Sequence, residues 1–136
     1  KGKNPIRIVI DKQLTLDNNL SLFDRSQSTI CYNLLKSEDS PNLTWVKLER
    51  DFGVRDIIQD LFHRNIQSIM IEGGSYLLQS FISENMWDEA RVFTGSSIFG
   101  SGIHAPRISQ LPQEILEVSG DRLSVYNSGS DESFFK

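Results

Sequence analysis

The stretch that most constrains this chain covers residues 66–81, where an isoleucine-rich run meets a carboxylate, two glycines and an amphipathic segment. That order predicts a buried strand ending at Glu72, a tight turn at Gly73 and Gly74, and a helix from Ser75. The first amides of a helix lack intrahelical partners, and the helix dipole favours an anion there. Because glycine has no Cβ, a phosphate could approach this backbone closely. The pattern is typical either of a plain turn or of a turn that holds a phosphate, most simply a dinucleotide's pyrophosphate.

Composition describes an ordinary folded protein. The 136 residues are 38% hydrophobic and 24% charged, which is enough for one domain or part of one. The net charge is −4 with scattered Lys and Arg, which argues against a nucleic-acid or anionic-membrane partner. No signal peptide or membrane-length apolar run is visible, so we expect a cytoplasmic location. The single cysteine, Cys31, excludes an intrachain disulfide and is expected to be buried in a strand.

Residue periodicity divides the chain into strands and helices. Strands are predicted at residues 5–11, 28–32, 44–48, 66–71 and 90–94, helices at 54–65 and 75–85, and a terminal hairpin at 115–119 and 122–126. Residues 14–23 and 37–42 are predicted to be irregular. The order strand, helix, strand, helix, strand implies parallel neighbours joined by right-handed crossovers. An α/β fold follows, with the glycine–serine loop at 95–102 and the glycine turn on the edge that commonly binds ligands.

Few side chains are candidates for catalysis, ligand binding or metal binding. Glu72 has two readings: it accepts backbone amides of the glycine turn, or it faces the hydrogen-bond donors of a ligand. Asp11 ends the first strand and would either cap a turn or face the same cleft. His63 and His104 have no ligand-type neighbours at suitable spacing, so no metal site is predicted. No nucleophile motif or catalytic residue can be identified, which suits chemistry supplied by a cofactor.

Four segments occur together in a familiar order. Residues 4–11 read NPIRIVID, residues 69–77 IMIEGGSYL, residues 87–90 WDEA and residues 99–102 FGSG. This combination resembles the reductase domain of the bifunctional riboflavin-biosynthesis deaminase/reductase across nearly the whole chain. The resemblance implies the dihydrofolate-reductase-like fold, a mixed and mostly parallel sheet flanked by helices with a C-terminal antiparallel hairpin. It also implies an oxidoreductase that uses NADPH to reduce the ribosylamino group of 5-amino-6-(5-phosphoribosylamino)uracil to a ribitylamino group.

Site residues follow from the resemblance position by position. Glu72 resembles the family's substrate-contacting acid. The NADPH-binding turn is matched by Gly73, Gly74, Ser75, Tyr76, Leu77 and Leu78. Lys12 falls where the family has a small polar cofactor contact, so a lysine there is a departure from the pattern.

The resemblance also implies what surrounds the chain. The family's zinc deaminase motifs are not in these residues, and its reductase domain begins before Asn4. We therefore expect residues 1–136 to be the C-terminal portion of a single reductase domain, with the N-terminal part and a zinc deaminase domain upstream. We expect this piece alone to be inactive. Its unpaired strand edge should either form a homo-oligomer or be completed by a separate piece of the same polypeptide.

Two alternatives stay open at the level of sequence: another reductase of the same fold that uses NADPH, or a non-catalytic module for dinucleotide binding or assembly. The sequence does not decide between NADPH and NADH.

Overall fold

The computed structural model describes residue 2 and residues 4–129, and the chain divides into two compact units, Lys1–Asn65 and Ile66–Lys136. In the described residues, no helix combines the length and apolar character that crossing a membrane requires. That residues 1–136 belong to one reductase domain stays a prediction.

The first unit is a four-stranded sheet followed by a helix. Its elements are β1 (Arg7–Ile10), β2 (Thr29–Asn33), β3 (Glu38–Ser40), β4 (Leu43–Lys47) and α1 (Val54–His63). The strand order is β1-β2-β4-β3, with β1, β2 and β4 parallel and β3 antiparallel to β4. The three predicted strands and the predicted helix of this unit are confirmed. The prediction of an irregular segment at 37–42 was wrong for β3, because a polar edge strand has no apolar alternation to reveal it.

Strand β2 is the centre of the first unit, and all five of its residues are buried. On one face Cys31 packs in a cluster with Phe23 and Trp45, whose rings stack with centroids 5.3 Å apart. On the other side the Tyr32 hydroxyl donates a 2.7 Å hydrogen bond to Asp60 of α1. Burial on both faces explains why this strand reads as a continuous β-branched and apolar run. The predicted burial of Cys31 is confirmed, and desolvation raises the pKa of its thiol to about 11.

Asn33 ends β2 with a fully buried side-chain amide. Its Oδ1 accepts hydrogen bonds from the backbone N–H groups of Leu35 and Lys36, at 2.8 and 2.7 Å. Its Nδ2 donates to the carbonyl oxygens of Lys36 and Val46, at 3.0 and 3.2 Å. One side chain therefore joins β2, the turn that follows it and the neighbouring strand β4.

The second unit consists of one helix and an antiparallel sheet. Its elements are α2 (Ser75–Ser83), β5 (Glu89–Thr94), β6 (Glu114–Val118) and β7 (Asp121–Asn127), with strand order β5-β7-β6. The terminal hairpin is confirmed, and its register leaves a two-residue turn. Both turn residues, Ser119 and Gly120, have positive φ (53° and 90°), as a type I′ turn requires.

The predicted strand at residues 66–71 is wrong, since segment 66–74 forms neither strand nor helix. An apolar run indicates a preference for burial, whereas a strand also needs a neighbouring backbone to complete its hydrogen bonds. Met70 is 85% exposed, so the run is not buried throughout. The predicted strand at 90–94 is confirmed as β5, but its partner β7 is antiparallel rather than a parallel neighbour. The fold class holds: a mixed, mostly parallel sheet with helices, plus antiparallel strands at the C-terminal side.

Replacing the buried amide should destabilise the first unit strongly. We expect Asn33→Ala to lower the free energy of unfolding by about 2–4 kcal/mol, because it leaves several buried backbone groups without partners. Urea denaturation followed by circular dichroism measures the change. Asn18→Ala, at an exposed turn position, is the matched control and should change stability by less than about 0.5 kcal/mol. A loss no larger than that of the control would contradict the role given to Asn33.

The charge of Asp60 should make the free energy of unfolding fall as the pH becomes acidic. Desolvation raises the pKa of Asp60, but hydrogen bonds from Arg64 and Tyr32 outweigh it, so the pKa is lowered overall. A lowered folded-state pKa gives stability that is present above the unfolded value, 3.8, and is lost as pH falls through the folded value. We expect Asp60→Asn to cost about 1–3 kcal/mol at pH 7 and progressively less below about pH 4.

Urea denaturation of Asp60→Asn at several pH values between 3 and 7 tests this, with the exposed Asp51→Asn as control. A difference from the native chain that stays constant across this range would show that the Asp60 charge contributes nothing.

Candidate functional site

The glycine turn leads directly into α2, and the start of this helix lacks a side-chain cap. Gly74 is the N-cap residue, with extended backbone angles (φ −63°, ψ 166°), and because it has no side chain it makes no capping hydrogen bond. The first turn carries no acidic residue. At α1, by contrast, the Asp56 carboxylate accepts a 2.8 Å hydrogen bond from the Gly53 amide. The start of α2 thus keeps its amide donors and dipole available to an external anion.

The two glycines have different surroundings. A Cβ built on Gly73 would lie 2.7 Å from Cδ2 and 3.3 Å from Cβ of Leu77, so this glycine allows Leu77 to pack against the turn. A Cβ built on Gly74 would meet nothing within 4 Å. The space in front of Gly74 is open, and a ligand could approach the backbone there.

The remaining predicted residues of this segment lie along the same helix start. Tyr76 is 84% exposed, while Ser75, Leu77 and Leu78 are partly buried. Helical spacing predicts one apolar stripe on this helix, formed by Leu77, Leu78, Phe81 and Ile82, and of these only Phe81 is fully buried. Tyr76 therefore offers a large exposed ring beside the open backbone of Gly74.

Glu72 is exposed rather than at the end of a buried strand, which corrects the sequence interpretation. Within the described part of the chain, its carboxylate makes no hydrogen bond or ion pair. The reading in which Glu72 accepts amides of the glycine turn is therefore wrong. Its carboxylate is free to accept hydrogen bonds from a ligand.

Lys12 lies in the first unit, directly after β1. Its ammonium group sits 4.7 Å from the centroid of the Phe52 ring, and its carbonyl accepts a 3.0 Å hydrogen bond from the Leu34 amide. Lys12 is thus held at the carboxyl end of the parallel strands. Its role as a cofactor contact stays a prediction.

Asp11 is buried, and its carboxylate is hydrogen-bonded within the turn that follows β1. Its carboxylate accepts hydrogen bonds from the amides of Thr15 and Leu16, at 3.0 and 2.9 Å. Desolvation raises the pKa of Asp11, but the hydrogen bonds from Leu16, Thr15 and Leu14 outweigh it and lower the pKa overall. Asp11 therefore caps a turn as an ionised carboxylate. In the described residues, no group of three or more potential metal ligands occurs.

Sequence analysis did not predict one contact of α2, the helix that follows the glycine turn. The Gln79 amide pairs with the backbone of Arg107: its Oε1 accepts from the N–H at 2.8 Å and its Nε2 donates to the carbonyl at 3.5 Å. These two hydrogen bonds connect the irregular segment after β5 to α2. No local pattern predicts it, because 28 residues separate the two partners.

Comparison with known proteins identifies the family of this chain and several relatives. The model of the RibD C-terminal domain family matches residues 1–129. The chain is 27% identical to the riboflavin biosynthesis protein RibD of Aquifex aeolicus over 106 residues, which is 74% of this chain and 30% of that protein. It is 25% identical to the 2,5-diamino-6-ribosylamino-4(3H)-pyrimidinone 5′-phosphate reductase of Archaeoglobus fulgidus over 117 residues, 79% of this chain and 52% of that protein. The chain thus spans about half or less of the length of these relatives.

A solved structure has the same fold. The crystal structure of a diaminohydroxyphosphoribosylaminopyrimidine deaminase/5-amino-6-(5-phosphoribosylamino)uracil reductase from Thermotoga maritima superposes with a TM-score of 0.72. The two are 22% identical, and the match covers 93% of this chain and 38% of that one. With a family match across residues 1–129, the chain belongs to the RibD C-terminal domain family.

Proposed function

We propose that this chain is part of a reductase of riboflavin biosynthesis that reduces 5-amino-6-(5-phosphoribosylamino)uracil to its ribitylamino form with NADPH. The observation that carries the proposal is the open, uncapped glycine turn at the start of α2 in a chain of the RibD C-terminal domain family. Two relatives bear names from this pathway, and one is named as a pyrimidinone phosphate reductase.

The residues of the glycine turn suit the diphosphate of a dinucleotide. The helix start presents amide donors with no competing acid in the first turn, and the space at Gly74 admits a phosphate close to the backbone. Tyr76 adds an exposed ring for apolar contact with the cofactor. When bound, NADPH supplies the hydride that the protein's side chains lack.

Glu72 would bind the substrate. An exposed carboxylate without a protein partner can accept hydrogen bonds from the amino groups and hydroxyls of a pyrimidine ribosyl phosphate. It adjoins the glycine turn in sequence, so one short segment would contact both reactants. Such a segment would contribute to hydride transfer mainly by orienting the two reactants.

We further infer a cytoplasmic homo-oligomer. The second unit exposes large apolar side chains outside its sheet, with Ile98, Phe99 and Ile103 each more than 90% accessible. Apolar exposure of this extent is typical of surfaces that contact another protein. The zinc deaminase domain expected upstream belongs to the same proposal.

Gly74 gives the first test of the proposed function. We expect Gly74→Val to weaken NADPH binding at least tenfold, because the side chain would occupy the space that the diphosphate needs. Stability should change by about 1 kcal/mol or less, since φ of Gly74 is negative and accessible to valine. Fluorescence titration of the full-length protein with NADPH measures affinity, and thermal melting measures stability.

Gly2→Val is the matched control, because it makes the same change at an exposed glycine of the first unit, where a Cβ would also meet nothing within 4 Å. Unchanged NADPH affinity in Gly74→Val would remove the turn from the cofactor site.

A substitution at Glu72 tests substrate binding separately from cofactor binding. We expect Glu72→Gln to weaken substrate binding by about 1.5–3 kcal/mol through loss of charge-assisted hydrogen bonds, with NADPH affinity nearly intact. Calorimetric titration of the full-length enzyme with each ligand provides the measurement. Glu114→Gln, exposed on β6, is the control. Equal weakening of both ligands, or of neither, would contradict a substrate role for Glu72.

A further inference from the structure

Residues 96–106 of the second unit run between two attachments. At one end Thr94 of β5 pairs with Arg122 of β7. At the other end Gln79 of α2 holds the backbone of Arg107 through two hydrogen bonds, at 2.8 and 3.5 Å. Among the described residues, none of positions 96–106 makes a hydrogen bond or an ion pair. The segment is therefore held at its two ends and not along its length.

The segment consists of a flexible bend and a stiff arm. Gly100 and Gly102 have positive φ, 75° and 144°, and glycine changes between such conformations and ordinary ones at little steric cost. Pro106 has a fixed φ and restricts the preceding Ala105 to extended conformations. Residues 103–106 thus form an arm that begins at the Arg107 attachment and carries Ile103 at its far end.

The arm begins close to the glycine turn. Gln79 lies five positions after Gly74, which corresponds to about 7.5 Å along a helix. Ile103 lies four positions before Arg107, so it can extend at most about 14 Å from that attachment. Ile103 can therefore reach the open space in front of Gly74 and the exposed ring of Tyr76 while α2 and the sheet stay in place.

Ile103 and Tyr76 are both apolar groups left in water, with 91% and 84% of their surfaces exposed. A contact between them would remove apolar surface from solvent, which is favourable in proportion to the area covered. The same movement would cover the first amides of α2. An anion is attracted more strongly by such donors when water is excluded from around them.

We propose that the 103–106 arm closes over the dinucleotide bound at the glycine turn, with Ile103 packed against the ring of Tyr76. This inference rests on the proposed function, because the ligand that the arm covers is the cofactor proposed for that turn. Closure retains the bound cofactor, and the bend at the two glycines lets the arm open for release. Ile98 and Phe99 lie on the other side of the bend and stay available to a second copy of the protein.

Amide hydrogen exchange of the full-length protein, with and without NADPH, tests the closure directly. We expect exchange at residues 102–105 to slow about fivefold or more when NADPH binds, because the closed arm is shielded from solvent. Exchange that NADPH leaves unchanged would overturn the inference. Slowing that follows protein concentration rather than NADPH would also overturn it, because a second copy would then cover the arm.

Substitutions test which residue makes the contact, with stopped-flow fluorescence measuring the rate of NADPH dissociation. We expect Ile103→Ser to raise this rate about tenfold. Ile98→Ser is the matched control, because Ile98 is equally exposed and lies four positions from the other attachment, at Thr94, and its effect should stay below about twofold. Combining Ile103→Ser with Tyr76→Ser should raise the rate little beyond the larger single effect, because both changes remove one shared contact.

The attachment of the arm is tested at Gln79. Gln79→Met removes both hydrogen bonds to Arg107 and should raise the NADPH dissociation rate about as much as Ile103→Ser. Gln113→Met is the control, because it removes a side-chain hydrogen bond to Asn127 in the sheet and leaves the arm attached.

Two results of the substitutions would overturn the inference: a dissociation rate unchanged in Ile103→Ser, or an equal increase in Ile98→Ser. NADPH titration of the unaltered protein separates this inference from the proposed function. Normal NADPH binding with insensitive arm variants rejects the arm alone, whereas no NADPH binding rejects the proposed function and the closing arm with it.

Discussion

The buried amide of Asn33 is the interaction on which the first unit most depends. An amide with no solvent contact is tolerated only when its donors and acceptor are satisfied, and here the partners come from the turn after β2 and from β4. Satisfying the amide therefore fixes where two parallel strands end relative to each other. That end is the carboxyl edge of the parallel strands, so the same hydrogen bonds that stabilise the sheet also fix the backbone at this edge.

The two units bury their apolar residues to different extents. In the first unit, β2 is covered on both faces, and the Phe23–Trp45 stack gives it an aromatic core. In the second unit, all five residues of β6 are exposed, and fully buried positions are confined to a few side chains such as Phe81 and Leu123. A sheet this open gains less from burial than a covered one. Its exposed apolar side chains are the physical argument for contact with further protein.

Sequence reasoning succeeded where local chemistry decides the structure. The start of α2 at Ser75 and the turn at Gly120 were predictable, because helix periodicity and glycine's access to positive φ are properties of short segments. It failed at residues 66–71, where strand formation depends on a distant partner, and at β3, where an edge strand is polar. The proximity of Leu34 and Lys47 could not be predicted for the same reason: Leu34 follows β2, Lys47 ends β4, and only the parallel register of the two strands brings these residues together.

The start of α2 is suited to an anion by its backbone rather than by its side chains. The start of α2 uses neutral backbone amides and a helix dipole, which suit a diphosphate whose charge is already shared between two phosphates. A protein with a net charge of −4 has no general attraction for phosphates, so affinity must come from such local features. Backbone amides are present whatever the side chains are, so a substitution affects them only by filling the space in front of them. The proposed binding of a dinucleotide therefore depends on the space in front of Gly74, which a larger side chain at that position would fill.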